Sequence, residues 1–160
     1  MKERLGLILG RFQPLHPGHL YLFNLAFREN NKIIICIGSA QSSEPFSIKE
    51  RHQRIQKQLE ILGYDRERYR IVDLVDPKPM DIWPSYVKEI CGITNETKNF
   101  FYRSDKLPKR YEQELARLGF RIRYVKRKPF YYRGPDGFYY QISSASEIKE
   151  IHRKLGKEIG

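Results

Sequence analysis

Sulfur is scarce in this 160-residue chain, which has two cysteines and two methionines. Cys36 and Cys91 lie far apart, with no partners at metal-ligand spacing, so the sequence offers neither a disulfide framework nor a zinc site. Two lone thiols fit a reducing cytoplasm. No apolar run approaches the ~20 residues that cross a bilayer, so no membrane partner is expected. The opening MKERLGLILG is basic and then apolar, as in a secretory leader. Its apolar part is too short and is interrupted by Arg11, so it reads as a strand. Internal repeats, low-complexity tracts and linkers are also lacking, which points to one domain over residues 1–160. Acid is in short supply too: 19 Asp and Glu face 30 Lys and Arg, a formal net charge of +11. Between Arg103 and Arg133, eleven basic residues face three acidic ones. Such a stretch attracts nucleic acid, a membrane surface or phosphorylated small molecules, although most charge runs are simply solvated faces.

What the chain does have is alternation. Hydrophobic residues make up 40% of it, enough for a real core. Leu5–Leu9 is a short apolar run ended by Gly10, and the spacing of Leu22, Leu25 and Ala26 predicts a helix over His19–Glu29. KIIICIG, Lys32–Gly38, is the continuous β-branched run of a strand buried on both faces, the mark of a parallel sheet. Ser47 and Glu50 form a capping box ahead of a helix with Ile48, Ile55, Leu59 and Leu62 on one face, closed near Gly63. A third strand follows at Arg70–Val75, then a helix over Trp83–Cys91, a strand at Lys98–Tyr102, a helix from Pro108 to Gly119 and a strand at Arg121–Val125. FYYRGPDGFYYQI reads as a β-hairpin, and a second capping box near Ser144 opens a last helix. Strand and helix alternate throughout, so the expected fold is α/β: a Rossmann-like, doubly wound parallel sheet with an added hairpin near the C-terminus.

In such sheets ligands bind beyond the carboxyl ends of the strands. GRFQPLHPGH, Gly10–His19, occupies that place after the first strand. Gly10 permits close backbone approach, Pro14 and Pro17 stiffen the turn, and Gly18 leaves room at the helix start. The helix N-terminus favours an anion. His16 and His19, three apart, share a face if the first turn holds both, and Arg11 adds a forked cation. Two imidazoles, a guanidinium and a helix N-terminus suit phosphate. Without a nearby acid or cysteine to complete a ligand set, they do not suit a metal.

GRFQPLHPGHL resembles the H-x-G-H motif of the nucleotidyltransferase superfamily. The rest of the chain is similar to one branch, the archaeal-type nicotinamide mononucleotide (NMN) adenylyltransferases. CIGSAQSSEPFSIKERHQRI resembles the branch's IGSAQ…NPFTAGERI, Trp83 in DIWPSYV its tryptophan after the third strand, FFYRSDK its VVYSGNP, and SASEIK its SGTEVR. The resemblance implies adenylyl transfer from ATP to NMN or nicotinate mononucleotide. His16, His19, Arg11 and Lys149 would act on the phosphates. Gly10, Phe12, Gly18, Ser144 and Ser146 would bind the nucleotide. Gly38, Ser39 and Phe46 would line the acceptor site, where Arg51 would hold the acceptor phosphate and Trp83 would stack on the pyridine. Mg²⁺ would arrive with ATP, and the chain would form a homo-oligomer. Four positions depart from the branch. Met80 stands where it has a carboxamide-reading asparagine, Glu44 where it has another asparagine, and Lys149 where it has an arginine; the hairpin over Phe130–Gln141 is longer. Met80 keeps open another phosphate or alcohol acceptor. The aromatic residues threaded through the basic stretch keep open a non-catalytic nucleotide- or RNA-binding module, although a pure binder has no need of both histidines and a nucleic-acid partner is not expected.

Overall fold

A computed structural model describes residues 2–159. Five strands, β1 (Arg4–Gly10), β2 (Lys32–Ile37), β3 (Tyr69–Asp73), β4 (Lys98–Arg103) and β5 (Phe120–Tyr124), form one parallel sheet in the order β3-β2-β1-β4-β5. The order reverses between β1 and β4, so the crevice beyond their carboxyl ends is the switch point of the fold. Helices α1 (Pro17–Glu29), α2 (Ile48–Ile61), α3 (Trp83–Ile90) and α4 (Lys109–Arg117) make the crossovers. After β5 come a two-stranded antiparallel ribbon, β6 (Phe130–Arg133) and β7 (Tyr139–Ile142), and helix α5 (Ala145–Leu155). None of the described helices is long and apolar enough to cross a membrane.

The β-branched run behaves as its composition predicts. Ile33–Ile37 are all buried, and alternate residues serve opposite faces. Ile33, Ile35 and Ile37 pack with Phe23, Phe27, Ile55 and Leu59 from α1 and α2. Ile34 and Cys36 pack with Trp83, Val87, Cys91 and Leu115 from the α3–α4 side. Each fully buried aliphatic side chain contributes about 1.5–3 kcal/mol, so this strand anchors both layers.

Some details differ from the expected ones. α1 begins at Pro17, two residues before His19, because His16 takes the N-cap. β3 ends at Asp73, leaving Val75 exposed. The first capping box is half formed. Ser47 Oγ accepts from the Glu50 N–H at 3.2 Å, but the Glu50 carboxylate reaches the Ser47 hydroxyl rather than its N–H.

Candidate active site

The loop after β1 is built around its histidines. His16 Nδ1 accepts from the Gly18 N–H at 3.0 Å, and His19 Nδ1 accepts from the His16 N–H at 3.2 Å. Both rings thereby satisfy free donors at the start of α1. An imidazole whose Nδ1 accepts carries its proton on Nε2, so both rings have Nε2–H as a remaining donor. The rings stack with centroids 3.8 Å apart and planes 24° apart. Burial, reinforced by the Arg127 charge, lowers the His16 pKa to about 4. Burial, then His16 and then Arg127, lowers that of His19 to about 3. Both are neutral hydrogen-bond donors at pH 7.

Two glycines serve these rings. A Cβ on Gly18 would lie 2.8 Å from His16 Cε1, so the missing side chain makes room for the folded-back imidazole. A Cβ on Gly10 would lie 3.0 Å from the Phe12 ring. Phe12 is buried, holds a left-handed φ of 55° and meets the His19 ring edge-on at 4.8 Å. Left-handed backbone at a bulky residue is strained and persists only where its surroundings impose it.

Two cavities open on either side of the β1 terminus. The first, about 160 Å³, is lined by Gly10, Phe12, His16, Gly18, His19, Arg103, Asp105, Arg127 and Ser143. The second, about 610 Å³, is lined by Gly10, Arg11, Gly38, Ser39, Asp76, Met80, Trp83, Arg103, Asp105, Tyr111 and Arg127. Gly10, Arg103, Asp105 and Arg127 border both. At this junction Arg127 forms a forked ion pair with Asp105, at 3.1 and 2.6 Å, and also donates to the Ser143 carbonyl at 3.2 Å. The Arg127 hydrogen bonds hold the Asp105 carboxyl below the usual carboxylate range. Among the described residues, no cluster of three or more His, Cys, Asp or Glu side chains is placed to hold a metal ion.

The remaining sequence-predicted residues fall in several places. Arg11 lines the second cavity and not the histidine side. Gly38 and Ser39 line the same cavity. Ser39 holds a left-handed φ of 54°, and its N–H and hydroxyl both donate to Asp76, at 3.0 and 2.8 Å. Burial alone would raise the Asp76 carboxyl, but the hydrogen bonds from Gln41 and Ser39 outweigh it and hold Asp76 low. Trp83 borders the second cavity but is 8% exposed and packed against Phe101 and Tyr111, so most of its surface belongs to the core.

Arg51, expected to hold the acceptor phosphate, lies between the loops that follow β1 and β2. It is 1% exposed, and all five guanidinium donors are taken by backbone carbonyls: Ser47 from Nε, Arg11 and Gly38 from Nη1, and Ser39 and Ser42 from Nη2. It ties the β1 loop to the β2 loop and has no donor left for a ligand. Phe46 is likewise buried, its ring covered by the Arg54 guanidinium at 3.9 Å. At α5, the Ser144 and Ser146 hydroxyls lie 3.0 Å apart, and Ser143, not they, reaches the histidine cavity. The Glu147 carboxylate accepts from the Ser143 N–H, the Ser143 hydroxyl and the Ser144 hydroxyl. This carboxylate already occupies the anion-binding end of α5. Lys149 is exposed and borders neither cavity.

Arg103, Asp105 and Arg127 line both cavities and were not among the residues expected from the sequence. Asp105 sits in the quoted FFYRSDK segment. Arg127 was one cation among eleven in a run whose commonest role is a solvated face.

A cytidylyltransferase-like family profile matches residues 7–151. A nicotinamide-nucleotide adenylyltransferase of Thermococcus sibiricus is 42% identical over 89 residues, 53% of this chain and 48% of that protein. One of Pyrococcus horikoshii is 39% identical over 89 residues, 53% of this chain and 47% of that protein. The matched segment thus spans about half the length of these curated relatives. Among solved structures, a bifunctional NMN adenylyltransferase/ADP ribose pyrophosphatase from Francisella tularensis superposes with a TM-score of 0.69 at 20% identity, over 96% of this chain and 42% of that one. A NadR protein in complex with NR superposes with a TM-score of 0.59 at 17% identity, over 78% of this chain and 37% of that one. These superpositions agree with the α/β fold described above. With a profile match running from β1 into α5, the chain belongs to the cytidylyltransferase-like family.

Proposed function

We propose that this protein is a cytoplasmic adenylyltransferase that moves AMP from ATP to nicotinamide or nicotinate mononucleotide, giving NAD or its deamido form and pyrophosphate. One observation carries the reading: a stacked, neutral histidine pair faces one of two cavities that meet at a shared arginine. The ATP phosphates fit the histidine side and the acceptor fits the larger cavity. The named relatives supply the acceptor class.

In this mechanism an oxygen of the acceptor phosphate attacks the α-phosphorus of ATP. A new P–O bond forms, the bond to the β-phosphate bridge breaks, and pyrophosphate leaves with the electron pair. A phosphate dianion is already a competent nucleophile, so no side chain has to remove a proton. The protein aligns the two phosphates and stabilises the growing charge. His16 and His19 donate from Nε2, and the α1 N-terminus adds its dipole. Arg127 exchanges Asp105 for phosphate oxygens as the substrates fill the junction. Mg²⁺ comes in as part of the ATP substrate; a Francisella neighbour was crystallised with AMP and a manganese ion.

The test is to incubate pure protein with Mg-ATP and a panel of NMN, nicotinate mononucleotide and unrelated phosphate monoesters, following pyrophosphate. Release with a pyridine mononucleotide is the expected result. Met80 borders the acceptor cavity where the resembled branch has a carboxamide-reading asparagine, which favours a second reading, another phosphate acceptor. Release with such an acceptor alone would replace the first reading with the second.

A further inference from the structure

The β6–β7 ribbon forms no ladder with the main sheet, yet it reaches the site. Strand alternation divides it into two faces. Phe130, Tyr132, Tyr140 and Ile142 turn inward, while Tyr131, Arg133, Tyr139 and Gln141 are exposed. The Phe130 ring lies over His16, with centroids 4.8 Å apart and planes 22° apart. His16 is therefore the middle of a three-ring stack, with His19 on one face at 3.8 Å and Phe130 on the other. The ribbon is fixed separately to α5, where the Tyr132 hydroxyl lies 2.6 Å from Nε2 of the buried His152.

We propose that Phe130 is a positioning residue for His16: its ring closes the open face of the histidine pair and holds the imidazole with Nε2–H presented to the ATP phosphates. The proposal rests on the adenylyl-transfer reading for its kinetic consequence but not for its structural one. A flat apolar ring on one face and an imidazole on the other leave His16 little freedom about χ2, and the Gly18 N–H fixes which edge points inward. Phe130 also shields His16 from water. The charged groups that share its cavity are Lys126, Arg127 and Lys128 after β5, Arg103 at the end of β4 and Asp105 just beyond it; His19 faces it from α1. The cations oppose a proton on His16, so removing the shield alone separates burial from charge.

The experiment is ¹⁵N-detected titration of the His16 ring in the wild type, Phe130→Ala, Phe130→Trp and Tyr132→Phe, together with steady-state kinetics. In Phe130→Ala, His16 should take up its proton at least about one pH unit higher than in the wild type and lose its single Nε2–H tautomer. The kcat should fall about tenfold while the KM for ATP stays within about twofold, as expected for a misplaced donor. Phe130→Trp, which keeps a flat ring, should restore both. Tyr132→Phe, which loosens the ribbon without removing the ring, should leave His16 titration unchanged. Two results overturn the proposal: an unaltered His16 in Phe130→Ala, or equal changes in Phe130→Ala and Tyr132→Phe, which would assign the effect to ribbon docking. If the wild type turns over no pyridine mononucleotide, the adenylyl-transfer reading fails while the titration still decides the role of Phe130.

Discussion

The two halves of the site are built on opposite plans. On the histidine side, the motif residues face the cavity and are held by backbone groups of their own loop: Gly18 N–H on His16, and His16 N–H on His19. On the side of the larger cavity, two motif residues are wall material. Arg51 is spent on five carbonyls and Phe46 is buried under Arg54. A charged residue inside a recognisable motif therefore either touches the ligand or shapes the loops that do. The count of its unsatisfied donors separates the two roles.

The largest effect expected is at Arg51. If it is scaffold, Arg51→Ala leaves buried carbonyls without donors and should cost about 3–5 kcal/mol of stability, read as a lower denaturation midpoint in urea. A variant with wild-type stability and a raised KM for the acceptor would return Arg51 to the ligand. Arg51→Lys should rescue little, because an ammonium cannot reproduce the five-donor fork.

Next comes His19. His19→Ala should reduce turnover by about a hundredfold, or about 2.7 kcal/mol of transition-state stabilisation, with ATP affinity much less affected. Equal turnover in variant and wild type would remove the histidine side from the chemistry.

The third effect is on pH dependence. His16 and His19 bind their protons near pH 4 and 3 in the fold, against an ordinary value of about 6.5 when unfolded. Between these limits the unfolded chain holds more protons, so stability rises with pH there and is lost as pH falls below about 6.5. The loss should be on the order of 2 kcal/mol for each histidine by pH 5. A His16→Asn, His19→Asn double variant should flatten that slope in thermal melts, and a slope it leaves intact would mean that other groups set it.

The smallest is at the junction. Arg127→Gln removes a charge shared by both cavities and should raise the KM for ATP about tenfold, the scale of one charge-assisted hydrogen bond. Its melting temperature should stay close to that of the wild type, because Arg127 is exposed. A large thermal loss with normal kinetics would make the Arg127–Asp105 pair structural.

The strand pattern and the histidine loop were legible because local rules govern them. Period, β-branching and turn residues lie within a few positions of one another, and KIIICIG reads as a buried strand wherever it is placed. The role of Arg51 was not legible. Four of its five acceptors, on Arg11, Gly38, Ser39 and Ser42, lie in loops that only the folded sheet brings together. Gly18 was legible as a close-approach residue, but what approaches it depends on how the His16 side chain folds back. Arg127 was hidden for a different reason, since nothing local distinguishes it from Lys126 and Lys128; only the carboxylate of Asp105, 22 positions earlier, selects it.

The ribbon's independence from the main sheet has a practical consequence. Its turn at Gly134–Gly137 and its outward residues bear on no core ladder. Insertions there, an epitope or a fluorophore anchor for example, leave the register of the five parallel strands alone. Only the inward side chains, Phe130, Tyr132, Tyr140 and Ile142, tie the ribbon down, so a change of length at the turn should leave the crevice it borders in shape.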